Sequence, residues 1–216
     1  DFCLSRGLGD VYKRQILSRT KKGKEYFSAH HSFIPAPTHG REATLFLQPW
    51  VTVRDAIASV PPIDGRKGRN SLPDFNPLHK VPPLDDKKYT WVLNTPEGET
   101  AFNNQCVNPN CGYQGNQRHG AKKISGINQA CNDTPLYCEK CGALLPRPYV
   151  EDKDGTLRLM KGFVSAYKRM RWDEPASTLT QNFQFACSDN KLHPSQHRVL
   201  SVSYTHLRAH ETGRNL

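Results

Sequence analysis

The sequence predicts a small, irregular α+β fold that depends on a bound metal more than on a large apolar core. Hydrophobic residues form 36% of the 216 residues, a length that suits one or two domains. Glycine, proline and asparagine recur through residues 64–86, which is typical of loops. Five of the seven cysteines lie between residues 106 and 141, and this uneven clustering favours a metal site in a reducing compartment over disulfides.

Residues 51–63 carry the clearest helix pattern. Thr52 is a favourable N-cap residue, and the prolines at positions 61 and 62 end the pattern. Apolar residues recur at helical spacing, at Val53, Ala56, Ile57 and Val60. We therefore predict one short helix after Thr52.

Residues 88–95 alternate in the manner of a strand. Tyr89, Trp91 and Leu93 would share one face of it, and aromatic residues are common in strands. Residues 154–172 contain two further short strand-like runs, and residues 173–200 consist of loops and short strands.

Two closely spaced cysteine pairs predict a four-cysteine structural zinc ribbon. The glycines that follow each pair, Gly112 and Gly142, suit the positive φ or close approach of a tight turn. Four thiolates complete a closed tetrahedron, so such a site stabilises a fold and catalyses nothing. The predicted ligands are Cys106, Cys111, Cys138 and Cys141.

Other interpretations of the histidines and cysteines are weaker. Free buried thiols do not explain the paired spacing, and Cys131 lacks a partner at ligand spacing. The histidines, such as His30, His31, His39 and His79, form no HExxH-like ligand set, which argues against a metallohydrolase.

The charge balance favours a polyanionic partner, nucleic acid first. The net charge is +10, although a charge that serves only solubility remains the alternative. Arg118, Lys122 and Lys123 lie between the cysteine pairs among amide side chains, so they are candidates for contacts with DNA; a solvated basic loop is the alternative. The sequence shows no run of about 18 apolar residues and no secretory leader, so we expect no membrane partner.

The two ends share an unexpected relation. If residues 202–212 are back-translated with suitable codons, the opposite DNA strand read in another frame can encode residues 5–15. We therefore predict that residues 1–15 and 201–216 are translated sequencing adapter, with coincidence as the alternative. Each end carries a net charge of +1, so the rest of the chain retains +8.

Two late stretches, RMRWDEPASTLT and LHPSQHRVLS, together resemble the motif IX block of DNA (cytosine-5) methyltransferases. Residues 33–40, 51–63 and 76–80 are similar to the exit from the catalytic domain of that family. The matching motif IX residues are Arg169, Pro175, Thr178 and Thr180, followed by His193, Pro194 and Arg198.

From their chemistry, these residues are expected to organise a joint. Pro175 would fix a turn, while Thr178 and Thr180 would fall on the same side of a strand. Arg169 and Arg198 could each bridge several backbone carbonyls.

The resemblance implies a parent with an α/β, Rossmann-like catalytic domain and a mainly parallel sheet. Within this chain it implies an exit segment, a recognition domain that contains the ribbon, and a return segment. Their expected bounds are 16–62, 63–160 (with the ribbon at about 103–148) and 161–200.

The resemblance also implies chemistry that this chain lacks. In the family a Pro-Cys thiolate attacks C6 of a flipped cytosine, and S-adenosylmethionine supplies the methyl group for C5. The Pro-Cys, Glu-Asn-Val and Phe-x-Gly-x-Gly elements are absent, and Cys187 lacks their context, so we predict no catalytic residue here.

The implied partner is double-stranded DNA, with Thr180 and Asn182 as further contact candidates. We expect a monomeric parent in a prokaryotic cytoplasm, from a restriction–modification pair or an orphan methylase. The alternative function is a stand-alone zinc-ribbon module that binds nucleic acid.

Overall fold

A computed structural model describes residues 39–204 apart from positions 46, 120, 125–126, 131–133, 162–164, 180 and 189–190, with the backbone alone for the rest of 121–130. The chain divides into two compact units, Asp1–Trp50 and Val51–Leu216. In the first unit, β1 (His39–Gly40) pairs in parallel with β2 (Gln48–Pro49).

The second unit is an irregular α+β arrangement with short elements. Its two hairpins are antiparallel, and long stretches between its elements have no regular structure. In chain order the elements are α1 (Val53–Ile57), α2 (Asp86–Leu93), a 3₁₀ helix (Ala101–Asn103), β3 (Ala121–Ile124), β4 (Ile127–Ala130), β5 (Tyr149–Glu151) and β6 (Leu157–Leu159).

Helix α1 confirms the predicted helix and its cap. The Asp55 amide donates to the Thr52 hydroxyl over 3.3 Å, and the Asp55 carboxylate accepts from the Thr52 amide over 2.9 Å. This reciprocal capping box satisfies N–H groups that the first turn leaves free. Val53 and Ile57 form its buried face.

Helix α2 replaces the strand predicted at residues 88–95, and that prediction is wrong. Asp85 caps the helix by accepting from the Lys88 amide over 2.8 Å. Val92 is fully buried whereas Leu93 is 45% exposed, which is incompatible with the alternating face of a strand. Tyr89 and Val92 instead lie one helical turn apart and are both buried.

The main apolar core joins α2 and the 3₁₀ helix to the late part of the chain. The Trp91 ring meets the Tyr167 ring edge to face, with centroids 5.6 Å apart. The fully or almost fully buried members are Val81, Trp91, Val92, Ala101, Phe102, Ala166, Tyr167, Leu192 and Val199.

A second apolar cluster joins helix α1 to the segment around Met170 and Leu200. The amides of Val53 and Arg54 also donate to the carbonyls of Glu174 and Trp172, over 3.0 and 2.9 Å. Helix α1, at the end of the predicted exit segment, therefore lies beside the predicted return segment, and residues 16–38 of the exit segment lie outside the described part.

Residues 201–204, which the sequence assigns to adapter, are packed onto this cluster. Tyr204 belongs to it, and the Ser203 amide donates to the Leu78 carbonyl over 3.2 Å. The adapter assignment of both ends stays a prediction, and residues 1–15 and 205–216 lie outside the described part.

The strand predicted around Thr178 is absent: residues 175–179 have no regular structure, and Thr180 lies outside the described residues. Within the part of the chain that the structure describes, no helix has the length and apolar character needed to cross a membrane.

Candidate metal centre and motif IX joint

The structure brings the four predicted cysteine sulfurs together. The Sγ atoms of Cys106 and Cys141 lie 3.7 Å apart, and those of Cys111 and Cys138 lie 3.9 Å apart. All four sulfurs fall within 4.8 Å of one another.

These distances match a tetrahedral zinc site. A Zn–S bond of about 2.3 Å places two sulfurs of a tetrahedron about 3.8 Å apart. A disulfide would instead need a separation of about 2.05 Å, and all four cysteines are free.

Tight turns place each cysteine pair. The amides of Cys111 and Gly112 both donate to the Asn108 carbonyl over 2.9 Å, and the Gly142 amide donates to the Cys138 carbonyl over 2.8 Å. Gly112 has a φ of +55° and Gly142 a φ of +69°, so both glycines adopt the left-handed conformation that other residues avoid. A Cβ on either glycine would meet no atom within 4 Å, so backbone conformation and not space requires glycine.

The electrostatics of the cluster favour a bound cation. Burial opposes ionisation of Cys138, yet N–H groups of Cys141 and Lys140 bring its pKa down to about 6. The Tyr113 N–H lowers the pKa of Cys111, but burial and the adjacent thiols raise it to about 11. Adjacent thiolates repel each other unless a cation lies between them.

A closed four-cysteine centre stabilises the ribbon and offers no open position for a reacting water. The apolar cluster at the centre is small, consisting of Cys106, Cys138 and Leu145 with Cys111 and Tyr113 against it.

Asn104 and Arg147, which no sequence motif indicates, fasten the ribbon to the main core. The Asn104 side-chain amide donates to the carbonyls of Trp91 and Pro146 over 2.8 and 2.7 Å. The fully buried Arg147 donates to the carbonyls of Asn104 and Pro135 over 2.8 and 2.7 Å. These contacts join residues that are far apart in the sequence, so no local sequence pattern predicts them.

Arg169 connects the end of helix α2 to the 193–197 loop. Its guanidinium donates to the carbonyls of Val92 and Thr95 over 2.7 and 2.6 Å. It also donates to the carbonyls of His193 and Gln196 over 2.6 and 2.5 Å. Burial lowers the pKa of Arg169 to about 10, so the side chain remains charged at neutral pH.

Arg198 makes a parallel set of contacts and is fully buried. It donates to the carbonyls of Ile63 and Val199 over 3.1 and 3.0 Å, and to the Tyr204 hydroxyl. Arg198 therefore connects Ile63, the first residue after the predicted exit segment, to the predicted return segment. We call Arg169, Arg198 and the residues that they contact the joint. These residues are Ile63, Val92, Thr95, His193, Gln196, His197, Val199 and Tyr204.

His193 orders the loop between the two arginines. Its Nδ1 accepts from the amides of Gln196 and Ser195 over 3.0 and 3.3 Å, which requires that this nitrogen carry no proton. Burial, followed by the charges of Arg198 and Arg169, lowers the pKa of His193 to about 2.

The remaining predicted residues lie in varied places. Arg118 is exposed and pairs with Glu99 over 3.4 Å, and Asn182 is exposed. Lys122 and Lys123 lie on β3, and their side chains are outside the described residues. Pro175 and Thr178 are exposed and follow the turn at residues 172–174, whereas Pro194 is buried.

Sequence comparison relates the chain to a methyltransferase. The type II methyltransferase M1.HgaI of Avibacterium volantium is 26% identical to it over 161 residues, 70% of this chain and 32% of that protein. The chain thus spans about a third of the length of this relative. No protein-family model and no solved structure matches the chain. The chain is a distant relative of a type II methyltransferase.

Proposed function

We propose that this chain is the target-recognition and return part of a DNA (cytosine-5) methyltransferase, with a structural zinc ion bound by Cys106, Cys111, Cys138 and Cys141. One observation carries the proposal: helix α1, at the end of the predicted exit segment, packs against the predicted return segment, and the buried arginines 169 and 198 of the return segment donate to carbonyls of helix α2 and of Ile63.

The joint supports an inserted recognition domain. Helix α1 and the return segment share an apolar cluster, while the ribbon lies on the chain between them. A domain inserted into another domain must leave and re-enter at neighbouring points, and this arrangement meets that requirement.

The proposed DNA contacts come from exposed polar and basic side chains. Arg118 lies within the ribbon and pairs with Glu99 through one contact of 3.4 Å, which leaves its other N–H donors available. The net charge of +10 favours binding to phosphate groups. The other proposed contact residues are Lys122, Lys123, Thr180 and Asn182.

The chemistry belongs to the parent protein. S-adenosylmethionine supplies the methyl group there, and the elements that would bind it are missing from this sequence. In this proposal the chain binds duplex DNA, and the joint holds the recognition domain at a fixed orientation for the catalytic domain.

Two assays on the zinc-loaded full chain test the proposal. Fluorescence anisotropy should detect binding to duplex DNA at 50 mM salt, with weaker binding as salt increases. Transfer of labelled methyl groups from S-adenosylmethionine to the same DNA should be undetectable. Methyl transfer by the chain alone, or no duplex binding by a folded, zinc-loaded chain, would contradict the proposal.

A stand-alone zinc-ribbon module is the second candidate, because residues 91–199 close a core around Phe102 and Tyr167. Sequencing the gene through both ends separates the two. An upstream reading frame with Pro-Cys, Glu-Asn-Val and Phe-x-Gly-x-Gly elements supports the methyltransferase, while a frame confined to this chain supports the module.

A further inference from the structure

We propose that a basic turn, Arg66, Lys67, Gly68 and Arg69, binds the phosphate backbone of duplex DNA as a second contact region, separate from the zinc ribbon. The inference rests on the proposed DNA-binding function and adds a site to it. The turn lies in the loop-rich stretch to which the sequence motifs assign no role.

The turn has a fixed backbone. The Arg69 amide donates to the Arg66 carbonyl over 3.0 Å, and the Asp64 amide donates to the Arg69 carbonyl over 2.8 Å. Gly68 has a φ of +83°, with nothing within 4 Å of the position of a Cβ. A closed turn presents its side chains with less loss of backbone entropy on binding than a flexible loop would.

The turn is anchored to the joint. The Gly65 amide donates to the His197 carbonyl over 3.2 Å, and the Gly65 carbonyl accepts from the Leu84 amide over 2.7 Å. A Cβ at Gly65 would lie 2.5 Å from that His197 carbonyl oxygen, so only glycine allows this approach. His197 follows the predicted motif IX residues His193 and Pro194, which places the turn against the return segment.

The charges of the turn remain available to a ligand. Lys67 and Arg69 are exposed, and among the described residues neither forms an ion pair. Arg66 lies over the Tyr89 ring, 4.3 Å from its centroid, and the Tyr89 hydroxyl donates to the Asp64 carboxylate over 3.0 Å. The Asp64 carboxylate keeps its negative charge, but the three cations of the turn outnumber it, so the turn keeps an excess of positive charge.

Two other basic side chains of the unit are held in ion pairs. Lys87 pairs with Glu151 over 3.4 Å, and Arg158 pairs with Asp152 over 2.9 Å. An unpaired cluster of three cations on a rigid turn suits a ligand with repeated negative charges, and duplex DNA presents one charge about every 1.7 Å. Contacts of this type fix the register of a protein on DNA without reading its sequence.

The test compares two double variants of the full, zinc-loaded chain. Lys67→Gln/Arg69→Gln removes two unpaired cations from the turn, and Lys87→Gln/Arg158→Gln removes two paired cations elsewhere. Both change the net charge equally. Duplex binding is measured by anisotropy between 50 and 400 mM salt, with zinc content and thermal unfolding confirming that each variant folds.

We expect the turn variant to reduce the salt slope by about 1.8 and to bind about 60-fold more weakly at 0.1 M salt, because two phosphate contacts are lost. The control variant should keep the wild-type slope. Equal effects of the two variants, or an unchanged slope in the turn variant, would overturn the inference while wild-type binding still supports the proposed function. Absence of DNA binding by the wild-type chain would instead refute the proposed function and this inference with it.

Discussion

The ribbon and the joint are stabilised in opposite ways. At the ribbon, buried apolar contacts are few, and four sulfurs within 4.8 Å of one another need a cation to coexist as thiolates. At the joint, two apolar clusters surround buried guanidinium groups that donate to backbone carbonyls. We therefore expect the ribbon to fold only with a bound metal, and the joint to fold through its own side chains.

Metal removal should produce the largest effect and should stay local. Structural zinc contributes about 10 kcal/mol or more to folding in small zinc domains, so a strong chelator should unfold residues 104–119 and 134–147. Hydrogen exchange should then show loss of protection at the ribbon and retained protection at Val92 and Leu192, whose side chains belong to the main core. Retained ribbon protection without metal would show that the ribbon does not depend on a bound cation.

Replacement of Arg169 should produce the next largest effect. Arg169→Lys leaves most of its four carbonyl partners unsatisfied in a buried position, so the unfolding free energy should fall by about 3 to 4 kcal/mol. The neighbouring Arg171 is exposed and pairs with Glu174 over 3.5 Å. Arg171→Lys should therefore change stability by less than about 0.5 kcal/mol. Equal losses in urea unfolding would show that the joint does not depend on the Arg169 network.

Acid should destabilise the joint through His193. Its pKa is about 2 in the folded chain and about 6.5 when unfolded, so the unfolded state binds more protons below pH 6.5. The stability that His193 contributes is complete above pH 6.5 and is lost as pH falls towards 2, by about 2 kcal/mol between pH 7 and 5.

A His193→Asn variant provides the matched control, because asparagine can still accept from the Gln196 amide but does not titrate. Urea unfolding at pH 7 and pH 5, with the same zinc concentration, should show a pH dependence that is about 2 kcal/mol smaller in the variant. The same pH dependence in both proteins would mean that His193 is not held neutral at the joint.

The capping box should give the smallest effect. Thr52→Ala removes the hydroxyl that accepts from the Asp55 amide, and the loss should be about 1 kcal/mol. Thr178 is exposed and lies outside any regular element, so Thr178→Ala should be neutral within about 0.5 kcal/mol. If Thr178→Ala lowered the unfolding free energy more than Thr52→Ala did, Thr178 would have the structural role that the motif IX resemblance implies.

The features that the sequence predicted depend on local spacing. Thr52 and Asp55 cap a helix through residues three positions apart, and each cysteine pair with its glycine forms one turn. The features that it missed depend on distant partners. Tyr89 and Trp91 have strand-like composition, but the Asp85 cap and the core around Val92 select a helix. The contacts of Asn104 and Arg147 span up to 43 residues, and no local pattern indicates them.

The metal content of the full chain tests the central claim most directly. Elemental analysis of the purified protein, with Cys138→Ser as the control, should give about one zinc per wild-type chain and clearly less in the variant. That result would support a zinc ion as the group that stabilises the ribbon. A folded wild-type chain that contains no zinc would contradict the account, since the four sulfurs would then be held together by contacts other than a metal.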